Sequence, residues 1–163
     1  MTIIRATKIA VVFSIAATFL FIFINNIFDY GSNFSYVQHV LTMDSVFPEN
    51  TLLGRAIHTE WVHHLAYWGI IVTEGAVSFL CIIGGTQLLR RARSESASFN
   101  SAKGLAALGL TLGFFLMVFG FMAIGGEWFM MWQSEKWGMG LNSAFRVSTI
   151  CGLAYLILLQ PDT

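Results

Sequence analysis

Four runs of mostly apolar residues, at about 9–28, 65–89, 105–124 and 141–159, constrain this chain more than any other feature. A helix rises ~1.5 Å per residue, so ~20 residues cross a hydrocarbon core ~30 Å thick with every backbone N–H and C=O satisfied inside the segment. Each run is close to that length. Of 163 residues, 56% are apolar and only 11% charged, with a mean hydropathy of +0.68, which leaves too little polar surface for a water-soluble domain. The prediction is an all-α membrane protein: one transmembrane domain over residues 1–163, built as a four-transmembrane-helix bundle.

Arg5 and Lys8 precede the first run, so a secretory signal peptide is the competing reading of that segment. The run is longer than a usual signal h-region. It ends at Asn25-Asn26 and bulky residues, without a small-residue cleavage site, and is expected to stay as a helix. Orientation follows from the cations, because positively charged loops resist translocation. Arg5, Lys8, Arg90, Arg91, Arg93 and Lys103 share one side, while Arg55, Lys136 and Arg146 belong to the other. Both termini are therefore expected in the cytoplasm. A formal charge of zero without a basic run argues against a nucleic-acid partner. Cys81 and Cys151 sit inside apolar runs and read as small hydrophobes.

All five tryptophans, Trp61, Trp68, Trp128, Trp132 and Trp137, fall on the non-cytoplasmic side, as an interfacial belt would. Two connections lie on that side. The first, 29–64, is long and carries Phe34, Tyr36, Val37, Val40 and Leu41 at helical spacing, which predicts a structured outer loop with a short amphipathic helix. The second opens with Gly125-Gly126, taken as flexible, and then alternates aromatic or Met residues with polar ones; it is expected to form a short interfacial helix. Trp128, Trp132 and Trp137 are candidate contact residues. Gly109, Gly113 and Gly120 project within about 40° of one another and offer a smooth face for a close backbone neighbour, inside the bundle or in a homo-oligomer.

The richest chemistry lies in His58-Thr59-Glu60-Trp61-Val62-His63-His64 and the helix that follows. With a helix running from about His58, residues Glu60, His64, Tyr67, Ile71 and Glu74 form one stripe. Such a row can relay protons, because histidine titrates near neutrality. Glu60, His63 and His64 could alternatively hold a metal, since His and Glu four residues apart reach one ion; the order is not that of the zinc-protease motif. The plainer reading is a polar collar at the membrane surface. No cofactor is predicted. Glu74, an ionisable group within the span, needs a partner. Arg146 is the expected one, with Asn25, Asn26 and Glu127 joining an outer-half polar cluster.

Asn25-Asn26, Asp29-Tyr30-Gly31-Ser32-Asn33-Phe34, Val37-Gln38-His39-Val40-Leu41 and Met43-Asp44, together with Gly125-Gly126-Glu127-Trp128-Phe129-Met130-Met131-Trp132-Gln133-Ser134, Trp137 and Ala144-Phe145-Arg146, carry a resemblance. The chain resembles a bacterial family of predicted small four-helix integral membrane proteins of unknown function. That resemblance implies a bacterial inner-membrane location and four helices, and supplies no catalytic assignment.

Three function classes follow, ordered by how much of the sequence each requires to be special. A non-enzymatic accessory or scaffold subunit, in a larger membrane complex or homo-oligomer within the lipid bilayer, needs only the Trp-rich surface and the glycine face. Proton-coupled transport of a small solute or ion needs the Glu60, His64, Glu74 and Arg146 cluster. A membrane-embedded metal, lipid or quinone site would use Glu127, His39 and His64.

Overall fold

The computed structural model describes residues 2–162. Helix α1, Ile3–Phe28, begins six residues before the apolar run, with the Thr2 hydroxyl accepting from the Arg5 N–H as its cap. Arg5 and Lys8 are thus inside the helix and buried, because both side chains find partners at that end of the bundle. Helix α2, Tyr30–Thr42, is the amphipathic helix expected after the first span, with Val37, Val40 and Leu41 turned inward. A 3-10 turn at Leu53–Arg55 leads into α3, Glu60–Arg90. The helix starts at Glu60, so His58 lies outside it.

The third span is segmented. Helix α4, Ser96–Ser101, and α5, Gly104–Phe115, continue into a π-helical stretch, Leu116–Trp128. Gly125 and Gly126, expected to be flexible, are instead buried in its last turn. A Cβ on Gly126 would sit 2.9 Å from Leu141 Cδ2, so the bare backbone is what lets the last span approach. In place of the expected short interfacial helix, the second connection holds one three-residue 3-10 turn, Met131–Gln133, with Met131 buried, before α6, Met139–Leu159.

Four helical segments among the described residues, Ile3–Phe28, Glu60–Arg90, Ser96–Trp128 and Met139–Leu159, are long and apolar enough to cross a membrane. They pack in the order α1, α3, α5, α6, with α1 also touching α6. The π stretch packs chiefly against α6. Two apolar clusters result. One fills the bundle from Ile9 and Val12 to Leu158, around Phe19, Val77, Cys81 and Leu110. The other joins Val37, Val40 and Leu41 of α2 to Tyr67 and Ile71 of α3 and to Phe129 and Met131. The two long connections therefore form a cap over one end, here the capped end; the opposite end, with Arg5, Lys8 and Lys103, is the basic end.

Candidate functional site

The buried side of α3 carries His63, Tyr67, Ile71 and Glu74, spaced four, four and three residues apart so that they stack on one face. Helix α1 supplies the partner. Asn26 Nδ2 donates to Glu74 Oε2 at 2.6 Å, and Tyr67 Oη donates to the Asn26 carbonyl at 3.0 Å, with Asn26 Oδ1 at 3.3 Å. Asn26 thus serves two buried groups of α3, one through its side chain and one chiefly through its backbone carbonyl. Nearer the cap, the Tyr30 hydroxyl lies 2.7 Å from His64 Nδ1, and the Phe34 ring stacks on the His64 ring with centroids 4.0 Å apart. Burial raises the Tyr30 phenol above its ordinary value. Glu60 is exposed, with its carboxylate 4.0 Å from His64 Nε2.

Arg146 does not pair with Glu74. It is exposed on the outside of α6, where Nη2 donates to Ser143 Oγ at 3.0 Å. Asn25 and Glu127 are exposed as well and stay out of the network. Position along a span carries no information on which way each helix is rotated, and α6 is turned so that Ala144, Ser148 and Cys151 face inward instead. The expected cluster of eight residues thus reduces to Asn26, Tyr67 and Glu74, with His64 above and Glu60 at the rim.

His63, expected in a surface collar, is 1% exposed. Its Nε2 donates to the Ile57 carbonyl at 2.7 Å, and Ile57 N–H donates to Leu41 O at 2.8 Å, which pins the loop to both helices. Nδ1 of His63 is buried without a hydrogen-bond partner. His63 and His64 have different surroundings, and among the described residues no three His, Cys, Asp or Glu side chains converge as metal ligands. His39 is engaged separately, bonded to Asp44 Oδ2 at 2.6 Å and stacked on Trp137.

The cap is tied across its two connections. Ser45 Oγ donates to Ser134 Oγ at 2.9 Å, and Gln133 Oε1 accepts from Phe47 N–H at 3.2 Å and from Asn50 Nδ2 at 2.9 Å. Arg55 Nη1 donates to the Trp128 carbonyl, and its guanidinium lies 4.3 Å over the Trp128 ring. Tyr36 Oη donates to Met131 Sδ at 2.7 Å, and burial pushes its phenol up to about 12. Met43 and Met130 both adopt left-handed backbone conformations at the cap, φ 52° and 54°. Burial of the Met43 side chain offsets that local cost. Trp128 and Trp132 point outward and are half exposed, with Phe47 edge-on to Trp132; Trp137 is partly covered by Tyr36.

Two of the three candidate interface glycines are used inside the bundle. A Cβ on Gly109 would lie 2.7 Å from Cys81 Sγ of α3, and one on Gly113 would lie 3.0 Å from the Phe19 ring of α1. Only Gly120 is left with open space, its nearest neighbour being Leu116 of its own helix.

A second polar site stands at the basic end, where the cations of the sequence signal topology alone. Lys8 Nζ and Lys103 Nζ reach Asp162 Oδ2 at 2.7 and 3.0 Å, and each donates to the Gln160 carbonyl at 2.6 Å. Arg5 donates to the Ala92 and Ser94 carbonyls and lies over the Phe99 ring. Burial alone would raise the Asp162 carboxyl, but hydrogen bonds and charge from Lys8 and Lys103 outweigh it and hold it below the usual carboxylate range. Cations 95 residues apart in sequence thereby fasten the end of α6 to α1 and α5. The signal that could have found this site is the single acidic residue after the last apolar run, the natural complement to buried lysines.

No curated protein and no solved structure matches this chain. The family model described as "Predicted small integral membrane protein (DUF2165)" matches residues 4–161, nearly the whole sequence, and the chain belongs to that family of integral membrane proteins.

Proposed function

We propose that this protein is a non-catalytic accessory or scaffold subunit of the bacterial inner membrane, with its termini in the cytoplasm and its capped end presented to a partner on the opposite side. The observation that carries this reading is the cap itself. Two connections that could have been loose are tied by Ser45–Ser134, by Gln133 to Phe47 and Asn50, and by Arg55 to Trp128, and the result holds Trp128, Trp132 and Phe47 outward on an ordered base. Exposed aromatics held rigidly lose little entropy on association and are the side chains most often found at interface centres. The buried polar groups have structural uses: Asn26, Tyr67 and Glu74 join α1 to α3, and His63 fastens the loop.

Gentle solubilisation from the native membrane, followed by native electrophoresis and mass spectrometry, tests the proposal. A reproducible larger assembly supports it. Migration as a monomer or small homo-oligomer refutes it.

The row from His64 through Tyr30, Tyr67 and Asn26 to Glu74 favours proton-coupled transport as a second reading. Against it, Tyr30 and Tyr67 meet only through tilted rings 4.8 Å apart, and below Glu74 the bundle is sealed by Phe19, Val77, Cys81 and Leu110. Loss of proton-coupled uptake in Glu74→Gln, with abundance and assembly unchanged, would favour transport over the scaffold.

A further inference from the structure

Under the cap, between α3 and the π stretch, lies a cavity of about 190 Å³. We propose that it is a binding site for one hydrocarbon chain, the acyl tail of a phospholipid in the leaflet at the capped end. Its roof is closed: Val40 and Leu41 of α2, with Phe129 and Met131, are buried. The lining residues that keep exposure on the spans are Ala66 and Ile70 on α3 and Gly120, Phe121 and Ile124 on the π stretch. The mouth therefore opens sideways between two membrane spans, toward lipid and away from water.

The chemistry of the wall selects an apolar occupant. The one side-chain hydroxyl in it, Tyr36 Oη, already donates to Met131 Sδ and lies 3.3 Å from the Trp137 carbonyl, so the lining offers no free donor to a polar ligand. The space exceeds the ~150 Å³ of an apolar protein cavity that accepts benzene. Two features of the sequence keep it open. Gly120 and Gly125 place no side chain in the wall, and the π-helical stretch carries the third span toward α6. Stretches of π-helix recur at functional sites. Gly120, unused by packing within the bundle, thus has a role.

The test uses the purified full chain in phospholipid nanodiscs doped with a phosphatidylcholine carrying a diazirine near the end of one acyl chain. After illumination, labelled peptides are mapped by mass spectrometry. The site predicts labelling concentrated on the walls around Ile70 and Ile124 and competed by unlabelled phospholipid. Gly120→Leu, which fills the space, lowers it about tenfold, the equivalent of one decade in affinity, while labelling at lipid-facing Phe79 and Leu153 stays constant. If Gly120→Leu fails to fold, Ile124→Trp at the mouth gives the same readout. Labelling spread evenly over Ile70, Phe79 and Leu153 and unchanged by either variant overturns the proposal. So does preferential labelling of the walls by a branched isoprenoid probe with none by the phospholipid.

Discussion

The Asn26 side chain donates to the buried Glu74 carboxyl, so removing it leaves that group of α3 short of its partner, while the Tyr67 hydroxyl keeps the Asn26 backbone carbonyl. Asn26→Ala is expected to destabilise the protein by about 1–3 kcal/mol, the range for an orphaned buried polar group, whereas Arg146→Gln, on the exterior, stays within about 0.5 kcal/mol; thermal unfolding in one detergent checks both. The sequence pointed to Glu74 as a group needing a partner, and Asn26 stood among the candidates. What chose the asparagine over the arginine is helix rotation, which depends on packing by residues such as Ala144 and Ser148 and not on depth. At the basic end, the Asp162 carboxyl is held below its unfolded value of ~3.9. Its stabilising contribution is therefore fully present above that value and is lost as pH falls through the lower folded value. Thermal midpoints measured from neutral pH down to pH ~3 should fall at the acid end in the wild type, and Asp162→Asn should flatten that part of the profile while lowering the neutral-pH midpoint.

Among the elements, the glycines give the sharpest contrast. A Cβ on Gly84 of α3 would overlap the backbone of Ala106 in α5, and moving one helix against the other is costly in a close-packed interior. Gly84→Ala is expected to cost more than ~2 kcal/mol, in the class of overpacking changes, while Gly69→Ala, with open space around it, is neutral or stabilising by up to about 1 kcal/mol through helix propensity. The cap offers a second element-scale test: Gln133→Ala removes the acceptor for Phe47 N–H and Asn50, so hydrogen exchange should quicken over residues 43–57 and stay unchanged in the spans. Spans and the amphipathic α2 were legible because length and periodicity are local properties; Val37, Val40 and Leu41 face inward as their spacing requires. The inner use of Gly109 and Gly113 was one of two readings the sequence left open, and neighbours decided it. The buried Gly125-Gly126 pair was misread as flexible because its conformation is fixed by Leu141 and Met131, both later in the chain.

For the molecule as a whole, the four-span architecture was available from hydropathy alone, since the bilayer allows helices few alternatives. The proposed scaffold role was less accessible, because that reading depends on which residues the two connections bring together. Ser45 and Ser134 are 89 positions apart in sequence, and nothing in either segment marks them as partners. The cap that they close is the feature on which the scaffold reading rests, and on that reading its exposed aromatic edge is the docking surface proposed for a partner. The most direct test is native electrophoresis of gently solubilised membranes containing either the wild type or the Phe47→Ala/Trp132→Ala double variant, expressed at equal levels. A larger assembly is expected for the wild type and release of the variant to its free size, with its thermal stability nearly unchanged. Identical migration of the two proteins would contradict the central role of the cap.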